Sequence, residues 1–240
     1  VLKLNLRGSG SARYLAKGNY CARCSSDVIS AIKNFKKLIN LEFKDLIKMN
    51  NPPIYGVGLS LGGTILLNAC LDYDEKNGEK LLDGLACVSS PLDLSLCSLC
   101  IEKPRNSVYQ KWLLHRLKNQ LWDGYNDEGK ILNNKKLSKT IRNLKSIREF
   151  DQKFTAPSWG FNSLEDYYVK ASPIFRIHNS RKKLPPMLFI HAKDDPWVPY
   201  EATLNLRKES IENFTILITK KGGHNGFHSI NGCWSDEVVK

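Results

Sequence analysis

Residues 54–71, IYGVGLSLGGTILLNACL, constrain the fold more than any other stretch of the chain. An apolar run of strand length at 54–59 passes through closely spaced glycines into apolar residues at helical spacing, giving a helix over roughly residues 61–72. The same order recurs elsewhere. LLDGLACVSS (81–90) is a strand-length apolar run ended by Pro91, and PPMLFIHAKDDP and NFTILITKKGGH each carry a buried strand into a polar loop. SSDVISAIKNFKKLI reads as a helix with Ser26 or Asp27 as N-cap and Val28, Ile32, Phe35 and Ile39 on one face. VLKLNL at 1–6 alternates like a strand and breaks at Gly8-Ser9-Gly10. Strands alternating with helices predict an α/β fold with a mainly parallel sheet flanked by helices.

Residues 92–184 form a long insertion ahead of the strand that carries HAKDD, and its pattern is helical. SVYQKWLLHRLKNQLW sets Val108, Trp112, Leu113, Leu117 and Leu121 on one face, and LSKTIRNLKSIREF does the same with Leu137, Ile141, Leu144 and Ile147. An insertion of this length needs packing of its own. The expected division is therefore a core of residues 1–91 and 185–240 with a helical cap, 92–184. By position the cap belongs over the strand ends, where open α/β sheets bind ligands.

The glycine-rich turn admits two chemistries, a phosphate cradle or an exposed nucleophile. A dinucleotide fingerprint fails because the third glycine falls one place late, at Gly62. A Walker loop fails because no lysine occurs between Asn51 and Asp74. Gly58-Leu59-Ser60-Leu61-Gly62 does match G-x-S-x-G, a sharp strand-to-helix turn that lifts a serine to the helix N-terminus. A serine nucleophile needs a base, and the base needs an orienting acid. FIHAKDDPWVP supplies Asp194 and Asp195 at one strand end, and TKKGGHNGF supplies His224 after the last strand. The order Ser, Asp, His is the one that goes with this elbow. A metal site built from His191, Asp194, Asp195 and His224 is the weaker alternative, since no pair among them has a familiar ligand spacing.

These residues and the segments around them carry a resemblance. NLRGSG, GVGLSLGG, SSPLDL, SVYQKWLLHRLK, SIREFDQKFTAPSWGF, DYYVKASP, FIHAKDDPWVP and KKGGHNGF together make the chain similar, nearly end to end, to family 4 of the AB-hydrolase superfamily. That group includes the YheT-type and embryogenesis-associated hydrolases. The resemblance implies an α/β-hydrolase fold, Ser60 as nucleophile, His224 as general base and an aspartate of the 194–195 pair as third member. The family's strand-end pattern favours Asp195 over Asp194, and His228 is a poorer base than His224. The Leu61 backbone N–H would meet the oxyanion, with a second donor from a loop after an earlier strand. That strand is expected ahead of Val1, and the last helix after WSDEVVK reads as cut short, so the chain reads as a truncated member.

The activity so implied is cleavage of carboxylic esters, of lipids or of short acyl chains, with no cofactor and no metal. Acyl transfer to an alcohol through the same acyl-enzyme is the second reading, and a noncatalytic protein of this fold is the third. Charge adds a partner. The net charge of +12 is uneven, with +9 in residues 93–186 against +4 in 1–92 and −1 in 187–240. A basic cap is suited to peripheral contact with an anionic membrane. No nucleic-acid module is recognisable. Cys21/Cys24 and Cys97/Cys100 are C-x-x-C pairs lying 76 residues apart, which read as incidental thiols rather than zinc ligands. Seven cysteines without a regular framework, no secretory leader and no apolar run near the roughly 18 residues of a membrane span predict a cytoplasmic location.

Overall fold

The computed structural model describes residues 1–43, 51–127, 134–180, 184–208, 213–230 and 232–239. The four apolar runs read as strands from residue 54 onward become one parallel sheet: β1 (Tyr55–Leu59), β2 (Gly84–Val88), β3 (Met187–Ala192) and β4 (Phe214–Thr219), paired in that order. Its register aligns Leu59 with Val88, Val88 with Ile190 and Ile190 with Leu217. The carboxyl ends of β1, β3 and β4 therefore open toward one edge of the sheet, and the loop following each starts there. Every residue of β2 is buried, as a strand covered on both faces requires.

Helix α1 (Ser25–Glu42) packs against α2 (Leu61–Asn77), which in turn lies on β1 and β2. Ile65, Leu67, Ala69, Cys70 and Leu71 are all buried, with Thr64 and Asn68 among them, so the first half of α2 is buried nearly all round, the mark of a helix enclosed on both sides. It runs past the expected end near residue 72 until Gly78, whose left-handed backbone (φ +65°) closes it with a bond from its N–H to the Asp74 carbonyl. The cap of α1 is Cys24, not Ser26 or Asp27. Asp27 lies in the first turn instead, where its charge complements the helix dipole.

Two compact units divide the chain. One comprises Val1, Lys3–Cys21 and Ser98–Tyr168; the other comprises Leu2, Ala22–Cys97 and Val169–Lys240 and contains the four-stranded sheet. The described part of the insertion is mainly helical, with short loops between its elements: α3 (Leu94–Ile101), α4 (Ser107–Asp127), α5 (Lys135–Asn143), α6 (Ile147–Phe150), which runs on through helical turns at Asp151–Thr155 and Ala156–Ser158, α7 (Leu164–Ala171) and α8 (Ile177–Ser180). Within the first unit, Arg13 donates to the carbonyls of Gly8 and Gln120, and the Trp159 indole donates to the Asn19 carbonyl at 3.0 Å. Those bonds tie residues 3–21 to α4 and to the turn after Ser158.

Three expectations fail here for physical reasons. Residues 1–6 form no strand; Val1, Leu2 and Leu4 are exposed, and no strand among the described residues pairs with them. Alternation alone does not make a strand where no ladder is available. The single helix expected over 137–150 breaks at Leu144. Ser146 caps a new helix by accepting from the Glu149 N–H at 3.2 Å, while the Glu149 carboxylate accepts from the Lys145 N–H at 2.7 Å, a local arrangement close to a capping box. Ile141, Leu144 and Ile147 remain buried across the break. Finally, α4 buries Leu114 and Leu121, whereas Val108 and Trp112 point to solvent.

Candidate active site

Ser60 sits between the last residue of β1 and the first of α2 with φ +51° and ψ −130°, a conformation that costs a side-chain-bearing residue of order 1–3 kcal/mol. The surroundings enforce it. The Ser60 N–H donates to the Val88 carbonyl of the neighbouring strand at 2.8 Å, and the Gly63 N–H donates back to the Ser60 carbonyl at 3.1 Å. Strand and helix approach so closely that a Cβ on Gly58 would lie 2.3 Å from the Gly63 Cα. A Cβ on Gly63 would lie 2.0 Å from the Ser90 Oγ. A Cβ on Gly62 would meet nothing within 4 Å.

The steric demand for glycine thus falls on 58 and 63, although the motif names 58 and 62. Gly62→Ala is expected to keep or raise Tm, by up to about 1 kcal/mol of helix propensity. Gly58→Ala must displace backbone and is expected to lower Tm strongly or prevent folding. Thermal melts of the two variants check this; a Gly58→Ala chain as stable as the parent would show that the elbow relaxes freely.

Two other strand ends bring His224 to Ser60 and Asp195 to His224. The loop after β4 carries His224, whose Nε2 lies 2.8 Å from Ser60 Oγ and whose Nδ1 lies 2.8 Å from Asp195 Oδ2. The loop after β3 carries Asp195, whose side chain is fully enclosed. Its Oδ1 accepts from the N–H groups of Trp197 and Val198 at 2.9 and 3.0 Å, so both carboxylate oxygens are engaged. Asp194 points elsewhere and accepts from the Gly223 N–H at 2.8 Å, bracing the histidine loop from outside. His228 is exposed in a short antiparallel pair, β5 (His228–Ser229) with β6 (Gly232–Cys233), and it is His224 that contacts Ser60 Oγ. The Leu61 amide is in the first turn of α2, where N–H groups lack an intrahelical acceptor and the helix dipole favours negative charge.

Sequence reasoning missed the supports of this arrangement. The Trp197 ring lies 4.8 Å from the His224 ring at 59°, walling one side of the imidazole. His191, considered above as a metal ligand, is buried and its Nε2 lies 2.9 Å from the Val198 carbonyl, with Thr203 Oγ1 3.3 Å from its Nδ1. It therefore ties down the turn whose amides hold Asp195. Burial holds the His191 imidazole below the usual histidine range, which keeps it a neutral donor. The spacing H-x-x-x-D was visible in the sequence, but nothing local told a strut from a ligand. Ser89, at φ +48°, accepts through Oγ from the Asn225 N–H at 3.3 Å and joins the β2 end to the histidine loop. The seven cysteines are all free thiols, and Cys97 Sγ donates to the Trp197 carbonyl.

A family model described as TAP-like protein matches residues 162–240, the stretch that contains both Asp195 and His224. Over 182 residues the chain is 35% identical to YheT of Escherichia coli (strain K12), an esterase candidate, the match covering 75% of this chain and 50% of that protein. The chain belongs to family 4 of the AB-hydrolase superfamily. This family-4 chain is also 29% identical over 233 residues to phospholipase ABHD3 of Homo sapiens, covering 96% of the chain and 51% of that protein. It spans about half the length of these curated relatives. Among solved structures, the 1.80 Å crystal structure of a hydrolase candidate from Agrobacterium vitis S4 matches with a TM-score of 0.50 at 14% identity, over 98% of this chain and 74% of that one. At that identity the likeness concerns the fold, which is the α/β-hydrolase fold. No helix among the described residues of this family-4 chain is long and apolar enough to cross a membrane.

Proposed function

We propose that the protein is a serine hydrolase that cleaves carboxylic esters through an acyl-enzyme on Ser60. The observation that carries the reading is the His224 imidazole bridging Ser60 Oγ and Asp195 Oδ2 at 2.8 Å on each side. In the first half-reaction Ser60 Oγ attacks the ester carbonyl carbon while His224 Nε2 takes its proton. The carbonyl oxygen becomes an oxyanion, which the Leu61 N–H stabilises. Collapse expels the alcohol, which leaves with the proton from His224. Water then repeats the sequence on the acyl-Ser60 ester, releasing the carboxylic acid and restoring the serine. Asp195 keeps the proton on Nδ1, leaving Nε2 free to act as base.

The names of the relatives, a phospholipase and an esterase candidate, support an acyl ester, and in particular a lipid ester, as substrate. Free thiols suit a reducing, cytoplasm-like compartment.

A serine-directed fluorophosphonate followed by peptide mapping tests the reading. Phosphonylation of Ser60, and its loss on heat denaturation before labelling, are the expected results. A folded chain that leaves Ser60 unlabelled, or takes the label only elsewhere, overturns it.

A further inference from the structure

Helix α4 turns an unexpected face to solvent. Val108 is 81% exposed and Trp112 56%, one helical turn apart on the same side, while Leu114 and Leu121 fill the opposite, buried side. Tyr109 stacks near Trp112 with ring centroids 6.0 Å apart, and the Arg116 guanidinium carbon lies 6.0 Å from the Trp112 ring centroid. Lys111 is exposed beside them. From Lys103 to Trp122 the chain carries five Lys or Arg residues and no Asp or Glu. Lys118 donates to the Arg142 carbonyl at 2.9 Å, which joins α4 to α5, itself without acidic residues and with Lys135, Lys136 and Lys139 exposed.

The apolar pair and the cations each have a bland explanation when taken alone, for single exposed apolar residues are ordinary and lysines coat solvated helices. Together they do not. Packing of α4 is already satisfied by Leu114 and Leu121, so Val108 and Trp112 are not spillover from the core. A polyanion such as RNA or an acidic protein would use the cations and leave an aliphatic Val108 without a role. A lipid–water boundary uses both: tryptophan and valine enter the headgroup–acyl region, and lysine and arginine meet anionic headgroups above it. We infer that the Val108–Trp112 face of α4, rimmed by Lys111 and Arg116, is a docking surface for an anionic lipid bilayer. The inference does not depend on the ester chemistry, and its test is run with that chemistry silenced.

The Ser60→Ala chain is sedimented with vesicles of pure phosphatidylcholine and with equimolar phosphatidylcholine–phosphatidylserine vesicles. Binding to the anionic vesicles only, weakening as salt rises through the range where the screening length falls to about 8–10 Å, is expected. Each basic residue at such a surface contributes about five-fold to the partition coefficient, so Lys111→Gln with Arg116→Gln is expected to weaken binding about 25-fold. Val108→Ser with Trp112→Ser is expected to weaken it by at least about ten-fold, from lost apolar burial. All four positions are exposed or rim the helix, and circular dichroism confirms that the variants keep their helices.

Equal affinity for the two vesicle types overturns the inference without needing any variant. So does anionic binding that the charge pair weakens but the Val108/Trp112 pair leaves untouched, especially if a single-stranded oligonucleotide shows the same pattern. That result would make α4 a general polyanion surface. Either failure leaves the reading of Ser60 standing, because labelling by fluorophosphonate does not involve α4.

Discussion

Ser60→Ala is expected to lower kcat on a short-chain aryl ester by about 10⁶-fold, the loss seen when a serine hydrolase is stripped of its nucleophile. The size follows from how the site is built. Alanine removes Oγ and leaves the rest: β1 and α2 still meet at the same strained turn, held by the Val88 and Gly63 backbone bonds, and the His224–Asp195 pair keeps its 2.8 Å contact. What remains is the imidazole held by Asp195 and the Leu61 amide at the helix start, which is why a residual rate above the solvent reaction is expected. The measurement is a progress curve at enzyme concentrations high enough to see that residue, beside a circular dichroism spectrum matching the parent. Retention of more than about one hundredth of the parental kcat would mean that the nucleophile is not Ser60, since no triad member is dispensable to that degree.

The three residues that meet at the elbow were legible in the sequence because their requirements are local. A strand run, glycines at 58, 62 and 63 and a helix start are contiguous, and Asp195 and His224 each stand just past an apolar run. Sequence order narrowed the third member to the 194–195 pair, and the choice of Asp195 within it came from the family's strand-end pattern. The supports were not legible, because they depend on neighbours far along the chain. That position 63 needs glycine depends on Ser90, which follows β2 against the turn, and on the Gly58 carbonyl, whereas position 62 faces open space. That His191 braces the Val198 carbonyl depends on the path of a turn with no distinctive spacing. The helical insertion shows the opposite error. Periodicity in α4 marked Val108 and Trp112 as core, and only the packing of Leu114 and Leu121 reveals which side is inside. VLKLNL alternates well enough for a strand, yet alternation records a preference that pairing must satisfy.

Asp195→Asn is expected to cost about 10⁴-fold in kcat, the loss produced by the equivalent change in a serine protease, while Asp194→Asn is expected to stay within about ten-fold of the parent, on the scale of one braced hydrogen bond. The two aspartates are adjacent and isosteric with their replacements, so the contrast isolates geometry. Asp195 Oδ1 accepts two backbone N–H groups, from Trp197 and Val198, and Oδ2 accepts from His224 Nδ1. An asparagine there has one oxygen and one amide nitrogen to distribute. Turning the nitrogen toward Trp197 and Val198 would set donors against donors in an enclosed site, so the oxygen must stay on the backbone side. The amide NH₂ then faces His224 and donates to Nδ1, which moves the ring proton to Nε2. In that tautomer Nε2 cannot accept the Ser60 proton, and general-base catalysis stops with every atom nearly in position. Asp194 meets a different demand. Its Oδ1 accepts from the Gly223 N–H, a bond that an asparagine oxygen keeps. An Asp194→Asn chain crippled beside an active Asp195→Asn chain would exchange the two assignments, and the loop after β3 would then have to turn its other carboxylate toward the imidazole before catalysis.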